Sequence, residues 1–272
     1  TVMIPPGVIL FTSLFWSFRP AYPQEDTELK RFEIQMENLR KRLKIPGMSA
    51  AIIKDQKLIW AQGFGYANLE KGIKSTIHTP YDIASITKTF AAIIVMQLVS
   101  EGKLDLDDPI AKFSINIKNK GTIRVKHILS HTSQYDPGKY FKYSGRLFGH
   151  LDKIIEEASG KTFKELVIKR IIKPLNMEDT APNRETESME NYPFKDIFHR
   201  VTKPYHLDDS YQVKPSTYRI GFWTSGGLIS SVVDMAKYDI ALDKNLLLKE
   251  ETKRLIFSPF IFTASTVIIS LS

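Results

Sequence analysis

The sequence predicts an α+β fold, in which helices flank an antiparallel β-sheet. Apolar residues between positions 29 and 43 recur at alternating spacings of three and four, which is the period of an amphipathic helix. Two apolar segments, 48–53 and 58–67, flank the polar sequence KDQK and predict a β-hairpin. A helix laid on an antiparallel hairpin and followed by a buried helix is typical of the edge of an α+β domain.

The buried helix is the segment around which the rest of the prediction is organised. After Thr89 the chain is apolar for two or three turns, and Glu101-Gly102 closes the run. Because apolar residues cover nearly every side, we expect this helix to lie in the core. The earlier amphipathic helix is expected to end at Pro46-Gly47.

The remaining elements are mostly helices and loops. A short acidic segment with a proline, 104–110, precedes helical patterns over 125–130, 147–158 and 162–172. Residues 183–216 are polar, contain several prolines and show no clear period, which predicts a long surface excursion with a functional or mobile role. A strand-like sequence at 221–231 and a helix over 232–242 follow.

Composition excludes several classes of function. A length of 272 residues allows one large or two modest domains. The net charge of +8 comes from lysines scattered along amphipathic segments, so we interpret them as solvated faces, with weak attraction to anionic surfaces as the lesser alternative. The chain has no cysteine, which excludes disulfides and thiolate catalysis. The sequence has no metal-ligand cluster, phosphate-binding glycine loop or nucleic-acid motif, and no cofactor is implied.

The N-terminal segment predicts export. Residues 3–16 are apolar, too short to span a bilayer comfortably, and followed by the polar sequence SFRPAYPQED. This arrangement resembles a signal-peptide core and its exit, so residues 1–25 are predicted to be a signal-peptide-like or anchor segment. The expected location is periplasmic or extracellular, with membrane association through residues 3–16 as a variant. The alternative is a hydrophobic strand or arm within the fold.

Ser85 and Lys88 stand three residues apart at the entrance of the buried helix. On a helix, this spacing places the hydroxyl and the ammonium on one face within contact range. The N-terminus of a helix also offers free N–H groups and the positive end of its dipole, conditions that suit a nucleophilic serine. The alternative is an N-cap serine with a solvated lysine. The pattern recurs at Ser100 and Lys103, where we interpret Lys103 as an ordinary C-terminal helix cation.

Five segments carry further motifs in a fixed order: IASITKTF, VKHILSHTS, FKYSGRLF, IIEEASGKTFKELVIKRIIKPLNMEDT and TSGGLISSVVDMAKY. Together they resemble the serine β-lactamase and penicillin-binding-protein-like hydrolases, in particular the class C β-lactamase-related branch. The first looks like that family's nucleophile motif, and the third lies where the family has Tyr-x-Asn. The resemblance covers roughly residues 28–259, and five ordered matches make chance a poor explanation.

The resemblance implies a β-lactamase-like fold, with a mostly helical domain inserted into a sheet domain. The predicted division assigns 26–104 and 218–272 to the sheet domain and 105–217 to the helical domain. The family's third motif, a Lys/His-Thr/Ser-Gly strand, is not found after residue 256, where the chain reads SPFIFTASTVIISLS. We therefore expect the C-terminal strands to be incomplete.

The resemblance also implies the roles of the site residues. Ser85 would attack a carbonyl and form an acyl-enzyme on a small-molecule or peptide substrate, and Lys88 would lower the cost of its deprotonation. Tyr143 is the candidate general base, although Lys88 itself could take the proton if it were neutral. We interpret His131 as a structural residue that bonds the backbone near a helix end.

Two departures from the family pattern affect the predicted activity. The Tyr-x-Asn motif reads Tyr143-Ser144-Gly145, and glycine lacks the side-chain amide that would bridge the lysine and the substrate. We therefore favour an esterase or peptidase-like hydrolase over an efficient β-lactamase. The absent third motif supports the alternative, a truncated or non-catalytic relative that binds peptide or cell-wall ligands.

Overall fold

The computed structural model describes residues 23–183, 193–218 and 220–258 of the chain. The helices are α1 (Pro23–Arg42), α2 (Thr87–Ser100), α3 (Val125–Leu129), α4 (Gly145–Phe148), α5 (Leu151–Ser159), α6 (Phe163–Val167), α7 (Lys195–His199), α8 (Val232–Asp243) and α9 (Glu250–Phe257). The strands are β1 (Gly47–Lys54), β2 (Lys57–Asn68), β3 (Ile73–Lys74), β4 (Tyr81–Asp82), β5 (Ala181–Pro182), β6 (Tyr205–Leu207), β7 (Val213–Pro215) and β8 (Leu228–Ser230).

The first sheet confirms the predicted hairpin. Strands β1 and β2 pair antiparallel from Gly47↔Gly65 to Lys54↔Lys57, and β3 extends the sheet beyond β2. Helix α1 lies on this sheet, because the Phe32 and Trp60 rings meet edge to face with centroids 5.2 Å apart. A smaller antiparallel sheet has the order β4-β8-β5, and β6 pairs with β7. The described chain is therefore α+β, as predicted.

Helix α2 forms the centre of the hydrophobic core. Its larger apolar residues Phe90, Ile94, Val95 and Leu98 have no exposed surface. Helices α5 and α6 pack against it, and the Phe90 ring stacks on Tyr238 of α8 with centroids 4.0 Å apart. This burial confirms the helix that the apolar run predicted, and it supplies a rigid base for the residues at its N-terminus.

Several elements differ from their predicted form. The segment predicted as one helix over 147–158 belongs to two helices, α4 and α5, and residues 168–172 form a π-helical turn after α6. The strand-like sequence at 221–231 is extended only in β8. The conformation of Gly227 explains why β8 begins only at Leu228. Its φ is +98°, and a Cβ there would lie 2.2 Å from the Gly221 carbonyl oxygen. The stretch 183–216, where described, contains α7 and the β6–β7 hairpin.

Some sequence predictions fall on parts of the chain that the structure does not describe. Of the predicted signal-peptide-like segment, 1–25, only residues 23–25 are described, and they begin α1. The tail after residue 258 lies outside the described residues. Within the described ranges, none of the helices combines the length and apolarity needed to cross a membrane. The division into a sheet domain and a helical domain stays a prediction.

The core position of α2 predicts a large stability difference between two isoleucines. Ile94→Ala removes a side chain with no exposed surface, so it should lower the free energy of unfolding by about 2–5 kcal/mol. Ile34→Ala is the matched control on α1, where the side chain is 61% exposed, and it should change stability by less than about 0.5 kcal/mol. Urea denaturation of both variants measures this, and equal losses would contradict the packing described.

Candidate active site

Ser85 is presented by a tight connection between β4 and α2. It lies in a 3-10 turn, Ala84–Ile86, immediately before the first residue of α2. Ala84 has a positive φ of 44°, a conformation that costs energy for a residue with a Cβ. The Asp82 carboxylate accepts a hydrogen bond from the Ala84 N–H at 2.8 Å, which stabilises this turn. The turn places the Ser85 hydroxyl at the end of the buried helix.

Lys88 lies one turn further along α2 and is almost fully buried, with 8% of its surface exposed. Its ammonium donates hydrogen bonds to Ser85 Oγ at 3.0 Å and to the Ser225 carbonyl oxygen at 2.7 Å. A buried charge requires such partners, because an unpaired one would carry a large desolvation cost. The side chain is therefore fixed against Ser85, and the solvated-lysine alternative does not describe it.

Tyr143 reaches the same point from the segment that precedes α4. Its hydroxyl lies 2.7 Å from Ser85 Oγ, and the Lys88 ammonium lies 5.1 Å from the centre of its ring. Hydrogen bonds from Lys88 and then Ser85 hold the pKa of the Tyr143 phenol below its ordinary value, against the opposing effect of burial. The structure thus brings the three predicted site residues into mutual contact.

His131 lies behind Tyr143, with ring centroids 4.6 Å apart. Its Nδ1 accepts a hydrogen bond from the Ser144 N–H at 3.3 Å, which is the backbone-bonding role that the sequence predicted. Burial, and next the charge of Lys88, lower the pKa of His131 below its ordinary value. The imidazole is therefore neutral at neutral pH.

Gly145 occupies the position where the resembled motif has asparagine. It begins α4, and a Cβ placed on it would lie 4.0 Å from Lys88 Nζ, with no closer atom. The position therefore faces the lysine, and the site lacks a side-chain amide there. Ser144 caps α4 through its hydroxyl, which accepts from the Leu147 N–H at 3.2 Å.

Sequence reasoning missed the backbone contribution of the turn before β8. Trp223 and Gly226 form an isolated antiparallel bridge, and the Ser225 carbonyl between them accepts the Lys88 hydrogen bond. A backbone carbonyl has no side-chain signature, although the Gly226-Gly227 pair could have indicated a turn here.

The second Ser-x-x-Lys pattern has no such surroundings. The Ser100 hydroxyl donates to the Met96 carbonyl oxygen at 2.9 Å, and Lys103 pairs with Glu101 at 2.8 Å. Both residues lie at the opposite end of α2 from Ser85.

Comparisons with known proteins agree with this architecture. Residues 35–260 match the family model described as Beta-lactamase, and the chain belongs to that family. A structure described as the octameric penicillin-binding protein homologue from Pyrococcus abyssi is similar at 30% identity with a TM-score of 0.78, over 88% of this chain and 62% of that one. The fold is therefore that of the penicillin-binding-protein-like proteins.

Two curated bacterial proteins are also similar to this chain. Protein flp of Staphylococcus aureus (strain N315) is 27% identical over 64% of this chain and 42% of its own length. The putative penicillin-binding protein PbpX of Bacillus subtilis (strain 168) is 25% identical over 78% of this chain and 58% of its own. The chain thus spans about half the length of these relatives.

The contact between Lys88 and Tyr143 predicts that loss of the ammonium changes the pKa of the tyrosine. Lys88→Met should raise the pKa of the Tyr143 phenol towards its ordinary value, because the leading cause of its depression is removed. An ultraviolet pH titration measures this when the corresponding Tyr143→Phe signal is subtracted. Lys142→Met is the control, since that ammonium bonds the Tyr135 hydroxyl at 2.6 Å and should leave Tyr143 unchanged. An unaltered Tyr143 titration in Lys88→Met would refute the assignment.

Proposed function

We propose that the protein is a serine hydrolase that forms an acyl-enzyme through Ser85 on an ester, amide or peptide substrate. The observation that carries the proposal is the position of Ser85 Oγ, 2.7 Å from the Tyr143 hydroxyl and 3.0 Å from Lys88 Nζ. A nucleophile within hydrogen-bond reach of both a candidate base and a buried cation is the arrangement that acyl transfer requires.

In this proposal Tyr143 is the base and Lys88 supplies charge. The Tyr143 phenolate takes the Ser85 proton while Oγ bonds to the substrate carbonyl carbon, and the neutral phenol then returns the proton to the leaving group. In deacylation the phenolate takes a proton from water while the water oxygen bonds to the acyl carbon. The phenol then returns that proton to Ser85 Oγ as the bond between Oγ and the acyl carbon breaks. The lowered pKa of Tyr143 supports this assignment, since it enlarges the phenolate fraction at a given pH. The rate of acylation should accordingly rise with pH.

Electrostatic stabilisation of the oxyanion belongs to the same proposal. The Ser85 backbone N–H lies in the turn before α2, close to the positive end of the helix dipole. A donor in this position can stabilise the charge that develops on the carbonyl oxygen, a contribution typically worth about 10²–10³ in rate.

Two further features bear on the substrate and the place of action. Gly145 leaves the position facing Lys88 without an amide, which supports ester or peptide substrates over efficient β-lactam hydrolysis. The likeness to a penicillin-binding protein homologue supports penicillin as a labelling probe. Export remains part of the proposal and rests on the apolar residues 3–16.

The assignment of Ser85 as the nucleophile has a matched control in Ser100, at the other end of α2. Incubation with a fluorophosphonate or penicillin probe should give an adduct at Ser85, located by mass spectrometry, and Ser85→Ala should abolish it. Ser100→Ala removes the serine of the second Ser-x-x-Lys pattern and should leave labelling unchanged. Loss of the nucleophile is expected to lower turnover by several powers of ten, about 10⁶ in the best-studied case. Probe binding without an adduct would favour the alternative, a non-catalytic ligand-binding relative.

The absence of a side-chain amide at Gly145 predicts how a substitution there changes substrate preference. Gly145→Asn should be accommodated, because the backbone is helical and the nearest atom to its Cβ is Lys88 Nζ at 4.0 Å. The new amide should raise the ratio of amide to ester turnover, since it adds a hydrogen-bond donor beside the lysine. Gly145→Ala is the control for the loss of glycine alone. An unchanged ratio in the asparagine variant would contradict this interpretation of the motif.

A further inference from the structure

We propose that His131 is a positioning residue for Tyr143: as a neutral imidazole it holds the tyrosine hydroxyl against Ser85, and its protonation releases that hold. This inference rests on the proposed function, in which Tyr143 is the base. It assigns to His131 a role in the pH dependence of acylation, without any contact between the imidazole and the reacting atoms.

The backbone on both sides of Tyr143 is bound to His131. The Lys142 N–H donates to the His131 carbonyl oxygen at 2.8 Å, and the Ser144 N–H donates to His131 Nδ1 at 3.3 Å. One residue therefore holds the two neighbours of the tyrosine, one through its main chain and the other through its side chain. Only the second bond depends on the identity and protonation state of residue 131.

The imidazole also supports the tyrosine ring directly. Its ring contacts those of Tyr143 and Phe148, with centroid distances of 4.6 Å and 5.3 Å. The main chain at His131 has a positive φ of 56°, a conformation in which histidine and asparagine are enriched among residues other than glycine. This conformation lets the residue leave α3 and face the segment that carries Tyr143.

The electrostatic surroundings favour the neutral imidazole. The charged and titratable groups facing His131 are the Lys88 ammonium from α2 and the Tyr143 phenol, while Phe141 and Phe148 supply apolar contacts. Burial and the positive charge of Lys88 both oppose protonation, so the pKa of His131 lies below its ordinary value. No carboxylate is among the causes of this shift.

Protonation would change both the hydrogen bond and the charge at this position. An imidazolium carries hydrogens on both nitrogens, so Nδ1 could no longer accept the Ser144 N–H and two donors would face each other. The segment 142–144 would keep only its main-chain bond to residue 131. Tyr143 is 54% exposed, so few other contacts hold it. Its hydroxyl would then no longer be held against Ser85.

Two variants separate the hydrogen bond from the packing. His131→Asn places a carbonyl oxygen near the position of Nδ1, suits a positive φ and does not titrate. His131→Leu retains apolar bulk but has no acceptor. His127→Asn is the matched control, because His127 Nδ1 also accepts a backbone N–H, from Arg124 at 3.1 Å, and burial also lowers its pKa.

The first readout is the rate of Ser85 acylation by a fluorophosphonate or penicillin probe, measured from about pH 8 downwards through the His131 ionisation, which lies below the ordinary histidine value. Above the pKa of His131, where only Tyr143 gains a proton, the acylation rate of the wild-type protein should fall in inverse proportion to the proton concentration. Below the pKa of His131 a second proton is bound, and the rate should fall with the square of the proton concentration. The asparagine variant should keep the single-proton slope, and His127→Asn should match wild type. Where the leucine variant folds, it should acylate about tenfold to a hundredfold more slowly at every pH, part of the 10²–10⁴ that a general base contributes.

The second readout does not depend on activity. In isotope-labelled tyrosine NMR, the Tyr143 ring signal is assigned by its loss in Tyr143→Phe. It should shift as wild type is acidified through the His131 ionisation and stay constant in His131→Asn. A pH-independent Tyr143 signal in wild type, or a wild-type steepening retained by His131→Asn, would overturn the inference. Absence of Ser85 acylation in wild type would instead refute the proposed function, and the NMR result would then decide the role of His131 alone.

Discussion

The ammonium of Lys88 is the group on which the site depends. It is nearly buried at the N-terminal end of α2, where its hydrogen bonds to Ser85 Oγ and the Ser225 carbonyl satisfy two of its three donors. The same charge lowers the pKa of Tyr143 and opposes the protonation of His131. One buried cation therefore links the candidate nucleophile, the candidate base and the turn before β8.

A buried charge of this kind can only be held by a rigid scaffold. Helix α2 provides it, because Phe90, Ile94 and Leu98 have no exposed surface and α5, α6 and α8 surround them. The strained turn at Ala84 and the close packing at Gly227 are tolerated for the same reason, since the surrounding core determines the path of the chain. The stability of the core and the geometry of the site are thus two consequences of the same packing.

Tyr143 belongs to a more exposed part of the molecule. It stands on the loop before α4, a helix of only four residues, and more than half of its surface is exposed. Its approach to Ser85 relies on local supports: the two hydrogen bonds to His131, the tilted contact with the imidazole ring and the cap at Ser144. In the proposed mechanism the core fixes the nucleophile and the cation. The base is instead fixed by a few local contacts, one of which depends on the protonation state of His131.

The sequence by itself determined the local features: the amphipathic α1, the β1–β2 hairpin, the buried α2 and the spacing of Ser85 and Lys88. Each depends only on the order of residues within one segment, since the periods of helices and strands are local. The motif order also indicated Tyr143, but only tertiary structure brought its hydroxyl to Ser85, 58 residues away, and the Ser225 carbonyl to Lys88, 137 residues away. The division of 147–158 between two helices was likewise decided in three dimensions. Such contacts depend on how distant segments pack, and a main-chain carbonyl looks the same at every position in a sequence until packing places a donor beside it.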